Sequence, residues 1–274
     1  MSYDDLLLTF SIAFGLVFGS YLNVVVYRLP RGVSTAYPGS RCPRCLMPIK
    51  PWHNVPVLGY LGLLGRCRDC GVGISARYPL IEMSVGLWFG FCQLRASDPI
   101  EQGAASLAGS AFLVLGLIDL DSMKVPVPIP LISALAALAL QPRLLWIVSG
   151  RDPETLLTPR AEVLVGAIGA AGALLSLSYL GRLVGQPDGF AAGDAWVLGM
   201  IGALFGIRGA VFCFFVGSLS ALGVLAIKLL ALKRPNRPGQ PIPFVTHLSL
   251  AALLLLIVGP LSAAGAGSLQ GGLP

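Results

Sequence analysis

Two groups of residues in this chain have types and spacings that could carry chemistry. The first is a set of four cysteines, Cys42, Cys45, Cys67 and Cys70. The second is a pair of aspartates, Asp119 and Asp194, each inside a predominantly apolar run. The cysteines are candidate metal ligands, and the aspartates are candidate catalytic carboxylates because an isolated charge at membrane depth is costly to keep.

The cysteines form two Cys-x2-Cys pairs separated by twenty-one residues. Each pair can offer two thiolates to one ion, so the two pairs predict a tetrahedral four-cysteine zinc site with no open position, hence a structural one. Disulfides are the alternative, which a reducing cytoplasmic location disfavours. His53 lies between the pairs, but with four cysteines available we do not expect it to bind. Cys92 and Cys213 lie in apolar runs and are expected to be small buried hydrophobes.

The aspartates have two interpretations. Each could cap a helix end at the membrane interface, or pair with an arginine such as Arg182. Alternatively, the two carboxylates lie within reach of each other and share one proton, as an aspartyl protease requires. Position alone does not decide between these interpretations.

Composition indicates the elements that must position both groups. The chain has 274 residues, is 55% hydrophobic and 12% charged, and has a mean hydropathy of +0.79, values outside the range of ordinary soluble domains. Apolar segments recur at about 6–27, 79–95, 103–119, 126–141, 161–181, 189–206, 209–232 and 244–263. These predict an all-α polytopic membrane protein of about eight transmembrane helices. The fourth segment is broken near Pro142 and Arg143.

Charge predicts the orientation. Eight basic residues and one acidic residue, Asp69, lie between the first two apolar segments. The positive-inside rule therefore makes this stretch cytoplasmic, places the amino terminus outside and brings Asp119 and Asp194 near the cytoplasmic face. We expect the basic stretch to meet anionic lipid headgroups, and we expect no nucleic-acid partner. The predicted organisation is a first helix at 1–27, a cytoplasmic zinc module at 28–78 and a transmembrane domain at 79–274 that carries both aspartates.

Five ordered segments carry a family resemblance. They are GSYLNVVVYRLP at 19–30, the cysteine segment continuing into RYPLIE at 77–82, IDLDSMKVP at 118–126, AGDAWVLGMIGALFG at 192–206 and PIPF at 241–244. With them the chain resembles the bacterial type IV prepilin leader peptidases, also called prepilin peptidase and N-methyltransferase, over nearly its full length.

The resemblance implies which aspartates are catalytic. In that family the first one is followed seven residues later by a proline, which selects Asp119 and leaves Asp121 as a neighbour. The second belongs to a Gly-x-Gly-Asp motif, which selects Asp194. Here Ala191 replaces the first glycine of that motif, with Gly189 nearby, and Trp196 stands where the family usually has a lysine.

The resemblance also implies an activity and a location. The family removes the basic leader of type IV prepilins and pseudopilins at the cytoplasmic face of the bacterial inner membrane, in type IV pilus and type II secretion systems. It commonly then methylates the new amino terminus from S-adenosylmethionine, although no glycine-rich cofactor loop is visible here. Asn23 and Glu82 lie in matched segments. Asn23 could orient substrate, although an interhelical hydrogen bond is the favoured interpretation. Glu82 could serve the transferase, but placement at a helix amino terminus explains it equally well. A catalytically silent scaffold of the same machinery is the alternative function.

Overall fold

The computed structural model describes residues 2–96, 98–140, 159–184, 190–230 and 242–267. At residues 159 and 259–267 it describes the backbone alone. Within these residues the regular structure is helical apart from two isolated β-bridges. The α-helices are α1 (Tyr3–Arg28), α2 (Leu58–Gly62), α3 (Arg77–Arg95), α4 (Pro99–Ser122), α5 (Pro128–Ala139), α6 (Pro159–Leu183), α7 (Ala192–Leu230) and α8 (Phe244–Gly267).

Several of these helices have the length and apolarity needed to cross a membrane. Among the described residues four qualify: Tyr3–Arg31, Pro99–Ser122, Arg160–Leu183 and Ala192–Leu230. Two shorter apolar helices, Pro128–Ala139 and Phe244–Val258, accompany them. The predicted all-α membrane class is therefore confirmed. The predicted break at Pro142 and Arg143 lies outside the described residues, as does Gly189.

The sixth and seventh predicted segments are two helical stretches that meet at Gly206, and together they form α7. Its 39 residues are interrupted only at Gly206, whose φ of 69° and ψ of −179° are not helical. Only glycine adopts that backbone region readily, so the chain kinks there without leaving the membrane-spanning run. The predicted boundary at residue 206 was correct in position, but it is a kink and not a loop.

The chain divides into two compact units, Met1–Ser106 and Leu107–Pro274. In the first unit α1 and α3 pack as an antiparallel pair through small residues. A Cβ at Gly15 would lie 2.8 Å from the Phe89 Cβ, and a Cβ at Gly19 would lie 2.9 Å from the Glu82 Cα. These contacts require glycine because nothing larger fits between the two backbones.

The second unit places α7 against α6, α5 and α8. The closest approach is at Gly166 and Gly202, where a Cβ on either residue would collide with the carbonyl group of the other. Gly199 packs on the Ala167 carbonyl oxygen and the Ala171 Cβ in the same way. Gly199 and Gly202, which follow Asp194 in the sequence, therefore serve close helix packing.

Candidate functional site

The four cysteines Cys42, Cys45, Cys67 and Cys70 converge on one point in the first unit. All four sulfur atoms lie within 4.8 Å of one another, with 3.7 Å between the sulfurs of Cys42 and Cys70 and 4.0 Å between those of Cys45 and Cys67. A tetrahedral zinc with bonds of about 2.3 Å separates its sulfur ligands by about 3.8 Å. The spacing of the four sulfurs therefore fits such an ion, and these residues could hold a metal.

The two cysteine pairs are held by the same local fold, offset by twenty-five residues. In each pair the amide of the first cysteine donates to the carbonyl five residues later, from Cys42 to Met47 and from Cys67 to Val72. A β-bridge flanks each of these bonds and joins Arg41 to Pro48 and Arg66 to Gly73. The residue after each pair has a positive φ, 60° at Leu46 and 70° at Gly71. This left-handed residue turns the chain so that both thiols of a pair face one side.

The thiols themselves indicate why a cation belongs there. The backbone amides of Cys45 and Arg44 donate to the Cys42 sulfur and lower the pKa of that thiol to about 6. At Cys45 the Met47 amide acts in the same direction, but burial and the neighbouring thiols outweigh it and raise the pKa to about 12. Adjacent thiols resist ionising together unless a positive ion compensates them.

His53 and Cys92 are not part of this cluster. The His53 Nε2 accepts a hydrogen bond from the Arg68 guanidinium at 3.2 Å, and Cys92 is buried in α3. Cys213 is likewise buried in α7. The burial predicted for Cys92 and Cys213 is therefore confirmed.

Asn23 and Glu82 tie the first unit together. The Asn23 amide donates across the helix pair to the Tyr78 carbonyl at 3.3 Å, which is the interhelical hydrogen bond expected from the sequence. The Glu82 interpretation was wrong: it lies five residues beyond Arg77, outside the first turn of α3. Its Oε2 instead accepts from the Val57 amide at 2.7 Å, anchoring the segment between the cysteine pairs to the helix.

Asp119 lies in the last turn of α4, and its side chain is 4% exposed. Its Oδ2 accepts a hydrogen bond from the Thr246 amide at 2.9 Å, and it lies 3.2 Å from the Thr246 hydroxyl, whose single proton it shares with the Gly116 carbonyl at 2.9 Å. Because α8 begins at Phe244, the Thr246 amide belongs to the first turn of that helix and has no partner within it. The carboxylate therefore occupies the positive end of the α8 dipole, which favours negative charge.

Asp194 is the third residue of α7 and is 8% exposed. Its Oδ2 accepts from the Ala191 amide at 2.7 Å, while the Asp194 amide donates to the Ala191 carbonyl at 3.0 Å. This is the backward half of a capping box. The partner is thus the turn before α7 rather than Arg182, so both aspartates are acceptors at helix amino termini.

The second unit brings together the segments that carry the two aspartates, which lie seventy-five residues apart in the sequence. The segments that carry them meet at Gly193, where a Cβ would lie 2.9 Å from the Val125 Cβ and 3.0 Å from its Cγ2. Gly193 is therefore required for close approach, and it allows the start of α7 to pack against the segment that follows Asp119.

Three aromatic rings surround the start of α7 and of α8. The Phe190 ring lies 5.0 Å from that of Phe244 and 5.9 Å from that of Phe214, and the Ser178 hydroxyl donates to the Phe190 carbonyl at 3.0 Å. These contacts join Phe190, the residue before Ala191, to Phe244, the first residue of α8. Sequence reasoning missed this cluster and Thr246; the PIPF segment at 241–244 ends two residues before Thr246 and was the nearest signal.

The replaced glycine of the motif does not strain the site. Ala191 is not among the described non-glycine residues with a positive φ, so an alanine fits the turn that the Asp194 carboxylate closes. Trp196, where the family usually has lysine, is 43% exposed.

Comparison with known proteins agrees with this division of the chain. Residues 13–96 match the model of the bacterial peptidase A24 N-terminal domain, and residues 106–227 match that of the type IV leader peptidase family. No solved structure matches the chain.

Similar proteins cover most of the sequence. A prepilin leader peptidase/N-methyltransferase of Pseudomonas aeruginosa is 31% identical over 91% of this chain and 89% of its own length. A protein of the same name from Myxococcus xanthus is 34% identical over 85% of this chain and 66% of its own length. Another from Klebsiella pneumoniae is 34% identical over 70% of this chain and 82% of its own length. With its apolar helices, this similarity shows that the chain is a membrane protein and belongs to the type IV leader peptidase family.

Proposed function

We propose that this protein is an intramembrane aspartic endopeptidase whose catalytic dyad is Asp119 and Asp194. The observation that carries the proposal is the burial of both carboxylates together with the close approach of Gly193, next to Asp194, to Val125, six residues after Asp119. Capping and catalysis are compatible here, because the backbone amides that satisfy each carboxylate also hold it in a defined orientation.

The dyad acts through one shared proton, because two adjacent carboxylates do not both ionise cheaply. The ionised member takes a proton from water as the water oxygen attacks the scissile carbonyl carbon. The protonated member donates a hydrogen bond to the developing oxyanion, and its proton then passes to the leaving amine as the C–N bond breaks. Thr246 orients Asp119 and the Ala191 amide orients Asp194.

The proposed substrates are type IV prepilins and pseudopilins, cleaved at the junction of leader and hydrophobic helix. The names of the similar proteins support this substrate class. The excess of basic residues between α1 and α3 supports an amino terminus outside the bacterial inner membrane and a dyad near its cytoplasmic face. N-methylation of the new amino terminus from S-adenosylmethionine is supported by those names alone.

The metal held by Cys42, Cys45, Cys67 and Cys70 is proposed to be zinc with a structural role. Four sulfur donors favour zinc and leave no coordination position for substrate. When bound, the ion supplies folding free energy to a segment with few buried apolar residues of its own. The purified protein is therefore expected to hold about one zinc per chain. Retention of stoichiometric zinc after Cys42→Ser with Cys45→Ser would refute the four-cysteine site.

Mass spectrometry of a prepilin co-expressed with this protein tests the proposed activity. The expected product lacks the leader and begins at the first residue of the hydrophobic segment. An added 14 Da on that residue would establish methylation as well. Full-length prepilin in cells that accumulate the folded, zinc-loaded protein would contradict the peptidase proposal and favour the silent scaffold.

A further inference from the structure

The segment between the two cysteine pairs presents large apolar side chains that are mostly exposed. Leu58 and Leu61 of α2 are 67% and 58% exposed, and Leu64, just after it, is 87% exposed. Trp52, in the turn before α2, is 63% exposed. That turn touches α2 directly, because a Cβ at Gly59 would collide with the His53 carbonyl oxygen. The Trp52 turn and α2, with the residue just after it, therefore form one continuous apolar surface that carries all four side chains.

This apolar surface is held beside the α1 and α3 pair, of which α1 is long and apolar enough to span a membrane. Val57, the residue before α2, donates its amide to Glu82 at 2.7 Å. Glu82 lies five residues into α3, which is about 7.5 Å along the helix axis. At the same level a Cβ on Gly19 of α1 would touch the Glu82 backbone. The start of α2 therefore lies alongside the end of the α1 and α3 pair.

Charge around this surface is strongly positive. The segment from the end of α1 to the start of α3 contains Arg28, Arg31, Arg41, Arg44, Lys50, Arg66, Arg68 and Arg77, against the single acid Asp69. The Lys50 ammonium lies 5.5 Å from the centre of the Trp52 ring. Aromatic and aliphatic side chains beside clustered cations match the headgroup layer of an anionic bilayer, where rings sit at the interface and cations meet phosphate.

We infer that α2 and the Trp52 turn dock into the headgroup layer of an anionic membrane, with Leu58 and Leu61 reaching the acyl boundary. The segment at 28–78 that carries the four cysteines is then bound to the membrane surface while it contacts the α1 and α3 pair, and it is not a free cytoplasmic domain. The occupant of this surface is lipid, because the clustered cations complement an anion and the contact with Glu82 holds α2 beside α1, a helix long and apolar enough to span a membrane. This inference stands independently of the proposed peptidase activity.

Fluorescence of Trp52 in lipid nanodiscs tests the docking. The full-length protein is reconstituted at one copy per disc in phosphatidylcholine with brominated acyl chains, with or without about 30% phosphatidylglycerol. Subtracting the signal of Trp52→Phe isolates Trp52 from the other three tryptophans. The brominated lipid is expected to quench at least roughly half of the Trp52 signal in anionic discs and clearly less in neutral discs.

Paired leucine variants separate docking from folding. Leu58→Gln with Leu61→Gln is expected to reduce the quenching at least about twofold in anionic discs, while Leu58→Ile with Leu61→Ile retains it. Zinc content per chain, unchanged in both, shows that the module is folded. No quenching in the original protein, equal quenching in neutral discs, or full quenching in the glutamine variant would each overturn the inference. Protection of Trp52 from acrylamide only in two-copy discs would overturn it in favour of a second copy.

Discussion

Replacing Gly193 with alanine is expected to slow leader cleavage by about 10²-fold, because the new methyl group separates the two segments that carry the dyad. Its Cβ would lie 2.9 Å from the Val125 Cβ and 3.0 Å from its Cγ2. Carbon atoms pack at about 3.5 to 4.0 Å, so the segments must part by roughly 0.5 to 1 Å. Val125 follows Asp119 by six residues and Gly193 precedes Asp194, so the displacement acts on the distance between the carboxylates.

Single-turnover cleavage of a purified prepilin in nanodiscs measures this effect. A lower rate constant at saturating enzyme isolates the chemical step from substrate binding. Gly223→Ala is the matched control in the same helix, because a Cβ there meets nothing within 4 Å. It should leave the rate unchanged. Overpacking should also destabilise Gly193→Ala by about 1 to 3 kcal/mol, so the rate is compared at a temperature where both variants are folded.

A double-mutant cycle shows whether Val125 is the residue that matters. Adding Val125→Gly to Gly193→Ala removes the colliding side chain and should recover most of the lost rate, a coupling expected only for residues in contact. A Gly193→Ala protein that cleaves at the original rate would refute the reasoning that this approach sets the geometry of the dyad. A slow double variant would show that Val125 is not the cause.

Three further outcomes are expected. Gly206→Ala should lower the free energy of unfolding, measured by thermal denaturation, by about 1 to 3 kcal/mol. A Cβ at Gly206 meets no atom within 4 Å, so the cost comes from the backbone conformation at φ 69° alone. A stability equal to that of Gly223→Ala would contradict the kink. Thr246→Val should reduce kcat/KM about tenfold by removing one hydrogen bond to Asp119, whereas Thr246→Ser should not; equal rates in the two variants would exclude that role. Leu46→Gly should slow zinc loss to a chelator, because glycine relieves the positive φ that Gly71 already accommodates; faster loss would show that Leu46 packing matters more.

Local chemistry explains why the metal site could be predicted from the sequence. Each Cys-x2-Cys pair lies within one tight turn, so spacing alone indicates which atoms meet. The apolar helices could be located for a similar reason, because their length and hydropathy are properties of continuous segments. The boundary between the sixth and seventh segments was also predicted in the right place, and Gly206 makes it a kink between two helical stretches rather than a loop.

Long-range contacts explain what the sequence did not show. Thr246 lies 127 residues from the carboxylate it contacts, and no local pattern marks that pairing. Glu82 was interpreted from its position near a helix start, whereas its partner is an amide in a different turn, 25 residues earlier. The pairing of Asp119 with Asp194 itself remains a prediction from topology and family motif, for which the contacts at Gly193 supply a physical cause.

Cleavage by the two single variants Asp119→Asn and Asp194→Asn tests the central claim most directly. Asparagine is nearly isosteric with aspartate but can neither share nor transfer the proton, so each variant should accumulate, retain about one zinc per chain and leave a co-expressed prepilin uncut. Asp121→Asn is the matched control and should process it normally. Processing of the prepilin by either Asp119→Asn or Asp194→Asn would contradict the dyad.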